Sequence, residues 1–277
     1  MAPSTAMNQN RQEDKLADSV GMSPTIRHLL LDIEGTTCPV SFVSEVLFPY
    51  AREQLFPYLN QYQNKDFIQK LLAEVHAAWQ KDRTPEAKTL AKRLNRVDHN
   101  TESSIPDQGL SPEEACLYLN WLIKEDRKLT ALKDIQGLIW EEGYQKNILI
   151  APLFADVPPA LKRWHQRGIE LAVYSSGSVH AQKLLYAHTN AGDLSPLFSH
   201  WFDTHTGAKT QQESYTTIAT LLQAKPEEIL FVSDSPAELT AARSAGMISI
   251  FSCRPGNPHQ QAEGYPKIKT FADLGGL

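Results

Sequence analysis

The sequence predicts an α/β protein: a Rossmann-like, doubly wound parallel sheet with an inserted, all-helical cap. Three observations support this fold class. Short apolar runs that are typical of buried strands alternate with helical patterns in the C-terminal part of the chain. Helical periodicity dominates a long stretch before them, from residue 42 to residue 147. Polar side chains follow the predicted strands, at the sheet edge where doubly wound proteins bind their ligands.

The elements predicted first along the chain are an apolar strand over Ile26–Asp32 and a turn at Glu34–Thr37. Apolar residues then recur at helical spacing over most of 42–147. Within that span, the polar stretch Asp98–Gly109 is expected to be a loop. The helical pattern restarts with the Ser-Pro-Glu-Glu sequence of a helix start and continues without a break over Ser111–Trp140.

Strand and helix alternate from about Leu153 onwards, which predicts a parallel sheet. The predicted strands are Ile169–Tyr174, Ser199–Asp203, Ile229–Ser233 and Ile248–Phe251. The predicted helices are Val157–Gln166, one that begins at Val179, Thr216–Gln223 and Glu238–Ala245. We therefore expect three regions: a disordered tail at 1–24, an α/β core from 25–41 and 148–277, and a helical cap at 42–147.

Composition excludes several classes of protein. Lys and Arg number 27 against 32 Asp and Glu, and this net charge of −5 argues against a nucleic-acid partner. No apolar run approaches the roughly 18 residues that span a bilayer, so no membrane partner is expected. Three widely separated cysteines and an N-terminus without a secretion signal favour a reduced, cytoplasmic protein, which we expect to be a monomer. The nine histidines lack the spacing of a metal site.

Two acidic residues follow the first predicted strand. Asp32 and Glu34 stand two positions apart, where they can present a nucleophile and an acid/base group on the same side. Gly35 lets the backbone approach a ligand, and the groups after it, at Thr36 and Thr37, can hold phosphate oxygens. Acids and glycine are also common in ordinary turns, so this string alone does not establish a site.

Further polar residues follow the other predicted strands. Ser175 and Ser176 end one strand, Lys209 lies in a loop after the next, and Asp234 ends another, with Glu238 four residues later. Each has an ordinary explanation, as turn hydroxyls, a solvated lysine or a helix N-cap. Their order along the chain, Asp-x-Glu, Ser, Lys and then Asp with Glu, is much more specific than any one of them.

This constellation resembles the haloacid dehalogenase superfamily of phosphatases. The string Leu31–Thr37 is similar to the enolase-phosphatase family of methionine salvage, in which Glu rather than Asp is typical at position 34. The resemblance covers nearly everything from Leu29 on, and the helical insert is included. It continues in Phe48–Tyr50, Asp126–Lys128, Thr130–Lys133, Gln136-Gly137 with Trp140, Phe154–Val157, Tyr174–Ser178, Gln182–Leu185, Glu213–Tyr215 and Arg254–Asn257. One residue departs from it: Cys38, where Thr is expected. Glu238 stands where many superfamily members carry Asp, but Glu is compatible with this family.

The resemblance implies a role for each site residue. Asp32 would be the nucleophile that forms an aspartyl-phosphate, and Glu34 would be the acid/base. Asp32, the backbone carbonyl of Glu34 and Asp234 would bind one Mg²⁺ per chain. Lys209 would hold Asp32 and the phosphate by its charge. Glu238 would orient Lys209 or a metal-bound water.

The implied small-molecule substrate is 2,3-diketo-5-methylthiopentyl 1-phosphate, which is enolised and then dephosphorylated to the acireductone 1,2-dihydroxy-3-keto-5-methylthiopentene. Ser175 and the amide of Ser176 would bind its phosphate oxygens. Enolisation needs a base beside the carbonyl, and both Glu34 and a cap residue remain candidates. Asp126–Lys128 and Lys133 are expected to share a helix. Its basic residues, Lys128 and Lys133 among them, would either contact the substrate or form a solvated charged face.

Three other functions remain open. A generic sugar- or amino-acid-phosphate phosphatase would use the same Asp32, Lys209 and Asp234. A haloacid dehalogenase proper would use its nucleophile without a metal. A phospho-receiver switch also gathers acids around a phospho-aspartate, but its aspartate does not lie on the first strand beside a long insert.

Overall fold

The fold is that of a computed structural model, which describes residues 25–94, 109–275 and 277. These residues form two compact units. The α/β unit is made of the described residues up to Thr37, Phe154–Ser176 and the described residues of Pro196–Leu277. The helical unit is made of the described residues of Cys38–Leu153 and of Gly177–Ser195. The tail expected at 1–24 and all but the last residue of the expected loop Asp98–Gly109 lie outside the described residues.

A six-stranded parallel sheet forms the centre of the α/β unit. Its strands are β1 (His28–Leu31), β2 (Glu170–Tyr174), β3 (Phe198–Phe202), β4 (Ile229–Ser233), β5 (Ile248–Ser252) and β6 (Lys267–Ile268). They are ordered β3-β2-β1-β4-β5-β6, so β1 and β4 are neighbours at the point where the strand order reverses. This order confirms the predicted Rossmann-like fold class.

The helices of the described residues are α1 (Phe48–Tyr62), α2 (Asp66–Lys81), α3 (Pro85–Lys92), α4 (Pro112–Lys124), α5 (Thr130–Gln145), α6 (Val157–Gln166), α7 (Val179–Ala187), α8 (Gln212–Leu221) and α9 (Pro236–Ser244). A π-helical segment, Phe42–Leu47, leads into α1. Helices α6, α8 and α9 belong to the α/β unit, and the others belong to the helical unit. None of these helices is long and apolar enough to cross a bilayer.

The core of the α/β unit joins the strands to the helices that connect them. Leu30, Phe231 and Phe251, from three adjacent strands, pack in one buried cluster with Tyr215 of α8 and Leu239 of α9. Apolar runs as continuous as those of β1 and β4 form strands because a parallel sheet buries both of its faces.

The helical unit has its own core. Ile68, Leu72, Val75 and Trp79 recur at three- and four-residue spacing, and they form the buried face of α2. Helix α4 begins at the predicted N-cap, Ser111, whose hydroxyl accepts a hydrogen bond from the Glu114 amide at 3.3 Å while the Glu114 carboxylate accepts one from the Ser111 amide at 2.8 Å.

The single helix predicted from Ser111 to Trp140 is wrong. Helix α4 ends at Lys124, and Asp126 adopts a left-handed conformation with φ of 49°. Asp126–Lys128 therefore lie in the connection before α5. Of the four charged residues that were expected to share a helix, Lys133 alone lies on one, α5. The break was missed because it contains neither Gly nor Pro, the usual signals of a helix end.

Other boundaries also differ from the prediction. Helix α8 begins at Gln212 instead of Thr216, because its first turn is polar and has no apolar period to reveal it. Strand β6 was not predicted, since two residues at the sheet edge are too few for a pattern. Gly177–Ser195 pack with the helical unit, where α7 lies against α5, whereas we expected this segment within the α/β core.

Candidate active site

Two aspartates lie at the reversal point of the sheet. Asp32 follows β1 and Asp234 follows β4, which are paired in parallel. The Asp32 amide continues that pairing by donating to the Val232 carbonyl at 3.0 Å. Both aspartates are at least nine-tenths buried. Because adjacent parallel strands end at the same edge, the fold brings together two acids that are about two hundred residues apart in the sequence.

Lys209 bridges two carboxylates of this site. Its Nζ lies 2.7 Å from Asp32 Oδ1 and 2.8 Å from Glu238 Oε2. The same Glu238 oxygen also accepts a hydrogen bond from the Ser233 hydroxyl at 2.9 Å, and that hydroxyl accepts one from the Ser235 amide at 3.1 Å. The lysine side chain is 10% exposed, so it is a buried ion-pair partner and not a solvated loop residue.

The site holds more negative than positive charge. Burial, followed by repulsion from Asp32, raises the pKa of Glu34 to about 7 and that of Asp234 to about 7. The pKa of Glu238 is also raised to about 7, by burial first and then by Asp32. Burial acts to lower the pKa of Lys209, but Asp32 and Glu238 outweigh it and the net direction is upward. Carboxyl groups whose pKa is raised to near 7 in this way are typical of acid/base and cation sites.

The turn after Asp32 depends on Gly35. Its φ is 69°, and a Cβ at this position would collide with Asp234 Oδ2 and lie 2.8 Å from Asn257 Oδ1. The Gly35 carbonyl accepts hydrogen bonds from Asn257 Nδ2 at 2.8 Å and from the Ser252 hydroxyl at 2.9 Å. The backbone beside Glu34 is therefore fixed against Asp234 by two buried side chains.

An ion pair between buried Arg254 and half-buried Asp156 extends this support to the next residue of the turn. Arg254 Nε donates to the Thr36 carbonyl at 3.3 Å, and its two terminal nitrogens lie 2.8 and 2.9 Å from the Asp156 carboxylate. Asp156 also accepts from the Phe271 amide at 2.6 Å. No role was predicted from the sequence for Asp156, Arg254 or Asn257, although the resemblance includes both strings that contain them.

Four further predicted site residues follow β2 or lie in the helical unit. Ser175 is buried directly after β2, and Ser176 beside it is exposed, so both stand at the same sheet edge as Asp32. Lys128 is exposed in the connection between α4 and α5, and Lys133 is half-buried on α5. The roles predicted for these four residues stay predictions.

Arg127, which shares the motif of Lys128, is engaged inside the helical unit. Its guanidinium pairs with Asp82 at 2.5 Å and lies 4.7 Å from the centre of the Trp121 ring. Asp82 also accepts hydrogen bonds from the Tyr118 hydroxyl and from the amide and hydroxyl of Thr84. These contacts give Arg127 a structural role in tying the loop after α4 to the end of α2.

Known proteins are similar to this chain in sequence and in fold. A family model described as haloacid dehalogenase-like hydrolase matches residues 26–246. The enolase-phosphatase E1 of Parasynechococcus marenigrum (strain WH8102) is 49% identical over 250 residues, which cover 90% of this chain and 98% of that protein. The enolase-phosphatase E1 of Drosophila grimshawi is 44% identical over 252 residues, 90% of this chain and 95% of that protein. The solved structure of UTR4 protein from Saccharomyces cerevisiae has a TM-score of 0.65 at 32% identity and covers 89% of this chain and 99% of that one.

Proposed function

Since the chain belongs to the enolase-phosphatase E1 family of haloacid dehalogenase-like hydrolases, we propose that it converts 2,3-diketo-5-methylthiopentyl 1-phosphate into the acireductone 1,2-dihydroxy-3-keto-5-methylthiopentene and phosphate, a step of methionine salvage. The membership confirms the resemblance carried by Leu31–Thr37 and the later motifs. It favours this reaction over a dehalogenase or a phospho-receiver switch, because relatives that match nearly the whole chain bear the name enolase-phosphatase.

The bridge made by Lys209 is the observation that supports phosphatase chemistry most directly. With Asp32 Oδ1 held at 2.7 Å by the ammonium, the carboxylate has a fixed orientation at the sheet edge, and Oδ2, which lies 3.5 Å from the Ser233 hydroxyl, is the oxygen that would attack. The same ammonium offsets negative charge that gathers when a phosphate dianion approaches a carboxylate.

The proposed phosphoryl transfer uses two carboxyl groups in sequence. Asp32 attacks phosphorus, the bond from phosphorus to the substrate oxygen breaks, and an aspartyl-phosphate forms. Glu34 gives its proton to the departing oxygen; a pKa raised to about 7 keeps part of this group protonated at neutral pH. Glu34 then takes a proton from the water that attacks phosphorus, which releases phosphate and restores the Asp32 carboxylate.

The residues at the reversal point fit a magnesium ion. Mg²⁺ keeps several waters and needs only one or two carboxylates from the protein. The backbone at Gly35 comes so close to Asp234 that a Cβ would not fit between them. Asp32, the Glu34 carbonyl and Asp234 would hold the ion, which supplies positive charge for the phosphate oxygens.

The proposed enolisation requires a base near the carbon beside the carbonyl. Glu34 is one candidate, because its raised pKa suits a group that takes and returns a proton near neutrality. A residue of the helical unit is the other. We also propose that Ser175 and the Ser176 amide bind the phosphate. One Mg²⁺ per chain, a monomeric state and a cytoplasmic location are further parts of the proposal.

Turnover of the diketo-phosphate tests the proposed function. Phosphate release and the absorbance of the enol product are recorded together in magnesium buffer, and again with excess chelator. The proposal expects both signals in equal amounts, and the loss of both with the chelator. Equal turnover of simple sugar phosphates without an enol signal would identify a generic phosphatase instead. Undiminished activity in the chelator would contradict the magnesium site.

A further inference from the structure

Three side-chain hydroxyls hold three consecutive backbone carbonyls in the loop that carries Lys209. The Tyr174 hydroxyl donates to the Gly207 carbonyl at 2.9 Å, and the Ser214 hydroxyl to the Ala208 carbonyl at 2.8 Å. The Tyr215 hydroxyl donates to the carbonyl of Lys209 itself at 2.7 Å. Together these groups, Tyr174, Ser214 and Tyr215, are called the hydroxyl ladder below.

The direction of each hydrogen bond in the ladder is fixed by its chemistry. A backbone carbonyl only accepts, so each hydroxyl must be the donor and must stay protonated. Burial raises the pKa of Tyr174 and of Tyr215, which keeps both phenols neutral. A sequence of three such bonds on neighbouring carbonyls leaves the loop little freedom to move.

The ladder residues are themselves held by the fold. Tyr174 is the last residue of β2, and Ser214 and Tyr215 lie in the first turns of α8. The two tyrosine rings are both fully buried and meet edge to face, with centroids 5.5 Å apart. Gly207 adopts φ of 145°, and a Cβ there would collide with the Ser214 hydroxyl. The loop can approach the ladder this closely because residue 207 is glycine.

We propose that Tyr174, Ser214 and Tyr215 are positioning residues that hold the Lys209 ammonium at the attacking carboxylate. The proposal rests on the proposed function of Lys209. A lysine side chain has a long flexible stem, and fixing it in one geometry costs conformational entropy. The ladder fixes the backbone end of that stem, and Asp32 and Glu238 hold its Nζ end. The ammonium then stays in place when its charge is needed by the phosphoryl group.

Isosteric removal of single hydroxyls tests the ladder. In Tyr215→Phe and Tyr174→Phe we expect kcat on the diketo-phosphate to fall about tenfold each, the scale of one lost hydrogen bond. We expect KM to change less than about twofold, since the ammonium acts on the reacting charge. Tyr144→Phe is the matched control, because it removes a buried tyrosine hydroxyl that has no hydrogen-bond partner among the described residues. It should keep the wild-type kcat.

A double-mutant cycle separates positioning from general stability. If Tyr215 acts through Lys209, Tyr215→Phe should cost less than about twofold in a Lys209→Met background. An equal loss of kcat in both backgrounds would overturn the proposal. So would a Tyr215→Phe protein that unfolds more readily but keeps the wild-type kcat, because the hydroxyl would then be only structural.

Amide hydrogen exchange tests the hydroxyl ladder without measuring turnover, so its result does not depend on whether the proposed function is correct. The segment 204–211 should exchange faster in Tyr215→Phe than in wild-type protein or Tyr144→Phe, with no change in β1 or β4. Unchanged exchange of that segment would overturn the proposal even if the enzyme is active. A wild-type protein that turns over no diketo-phosphate would instead contradict the proposed function.

Discussion

At the scale of single residues, the site gathers four carboxyl groups around the Lys209 ammonium. Asp32 and Glu238 contact Lys209 directly. Burial, followed by repulsion from Asp32, raises the pKa of Glu34 and of Asp234, while Lys209 acts to lower both. Removing a positive charge from such a site affects every acid in it. The loss should therefore appear in the chemical step and not only in binding.

Changing Lys209→Met should lower kcat roughly 10²–10⁴-fold, the scale of one electrostatic stabiliser. Lys209→Arg should restore little, because a planar fork does not replace a compact ammonium between two carboxylates. Steady-state kinetics on the diketo-phosphate measures both variants. Lys162→Met, which changes an exposed lysine of α6, is the control and should match wild type. A Lys209→Met rate within about threefold of wild type would mean that this residue has no part in the chemistry.

Changing Gly35→Ala should abolish most activity and also destabilise the fold. The new Cβ meets Asp234 and Asn257, in addition to the strain of a left-handed alanine, which costs about 1 kcal/mol. Gly168→Ala is a matched control: its φ is 77°, yet a Cβ there meets nothing within 4 Å. We expect the control to lose stability alone. Equal kcat values for the two variants would show that Gly35 serves only the backbone conformation.

At the scale of elements, the strands that carry the site were predictable because apolar runs followed by polar residues mark buried parallel strands. The structure has the predicted bounds for one strand, Ile229–Ser233, and for one helix, Val157–Gln166. The hydrogen bonds that hold the turn after Asp32 were not predictable, since Asn257 and Arg254 donate to carbonyls more than two hundred positions away. The break at Asp126 has no glycine or proline to announce it.

The link between α2 and the loop after α4 should make the helical unit sensitive to acid. Burial acts to raise the pKa of Asp82, but hydrogen bonds from Thr84, Tyr118 and Arg127 outweigh it and the net direction is downward. A lowered folded pKa stabilises the protein above the ordinary value of 3.8, and the stabilisation is lost as pH falls through the folded value.

Asp82→Asn should therefore cost about 2 kcal/mol in the free energy of unfolding at neutral pH. The difference from wild type should shrink as the pH is lowered below 3.8. Urea unfolding followed over this pH range measures it, and Glu74→Gln, an exposed acid of the same helix, is the control. A cost that does not change with pH would mean that the Asp82 charge does not contribute.

At the scale of the whole molecule, one unit contains the proposed phosphoryl-transfer residues, and the other contains Lys128 and Lys133, which would either contact the substrate or form a solvated charged face. In the proposed mechanism, phosphoryl transfer requires only Asp32, Glu34, Lys209 and Asp234 of the α/β unit, with Ser175 as a further ligand. Enolisation also requires the carbon chain to be held beside a base. A substitution in the helical unit should therefore affect turnover of the diketo-phosphate more than turnover of a phosphate ester that needs only the residues of the α/β unit.

Lys128→Ala and Lys133→Ala should reduce kcat/KM for the diketo-phosphate more than for a small artificial phosphate ester. The ratio of the two kcat/KM values in each variant is the measurement, and Lys70→Ala, on an exposed position of α2, is the control. If each variant loses the same factor on both substrates, or nothing on either, these lysines are surface charges.

Trapping the covalent intermediate tests the central claim, that Asp32 is the nucleophile. The protein is mixed with substrate carrying a radioactive phosphoryl group, quenched in acid at short times and digested. We predict label on the peptide that contains Asp32 in wild-type protein, and neither label nor phosphate release in Asp32→Asn, because an amide cannot form the acyl-phosphate. Turnover without labelled protein at every quench time, label on another residue, or appreciable phosphate release by Asp32→Asn would contradict the account.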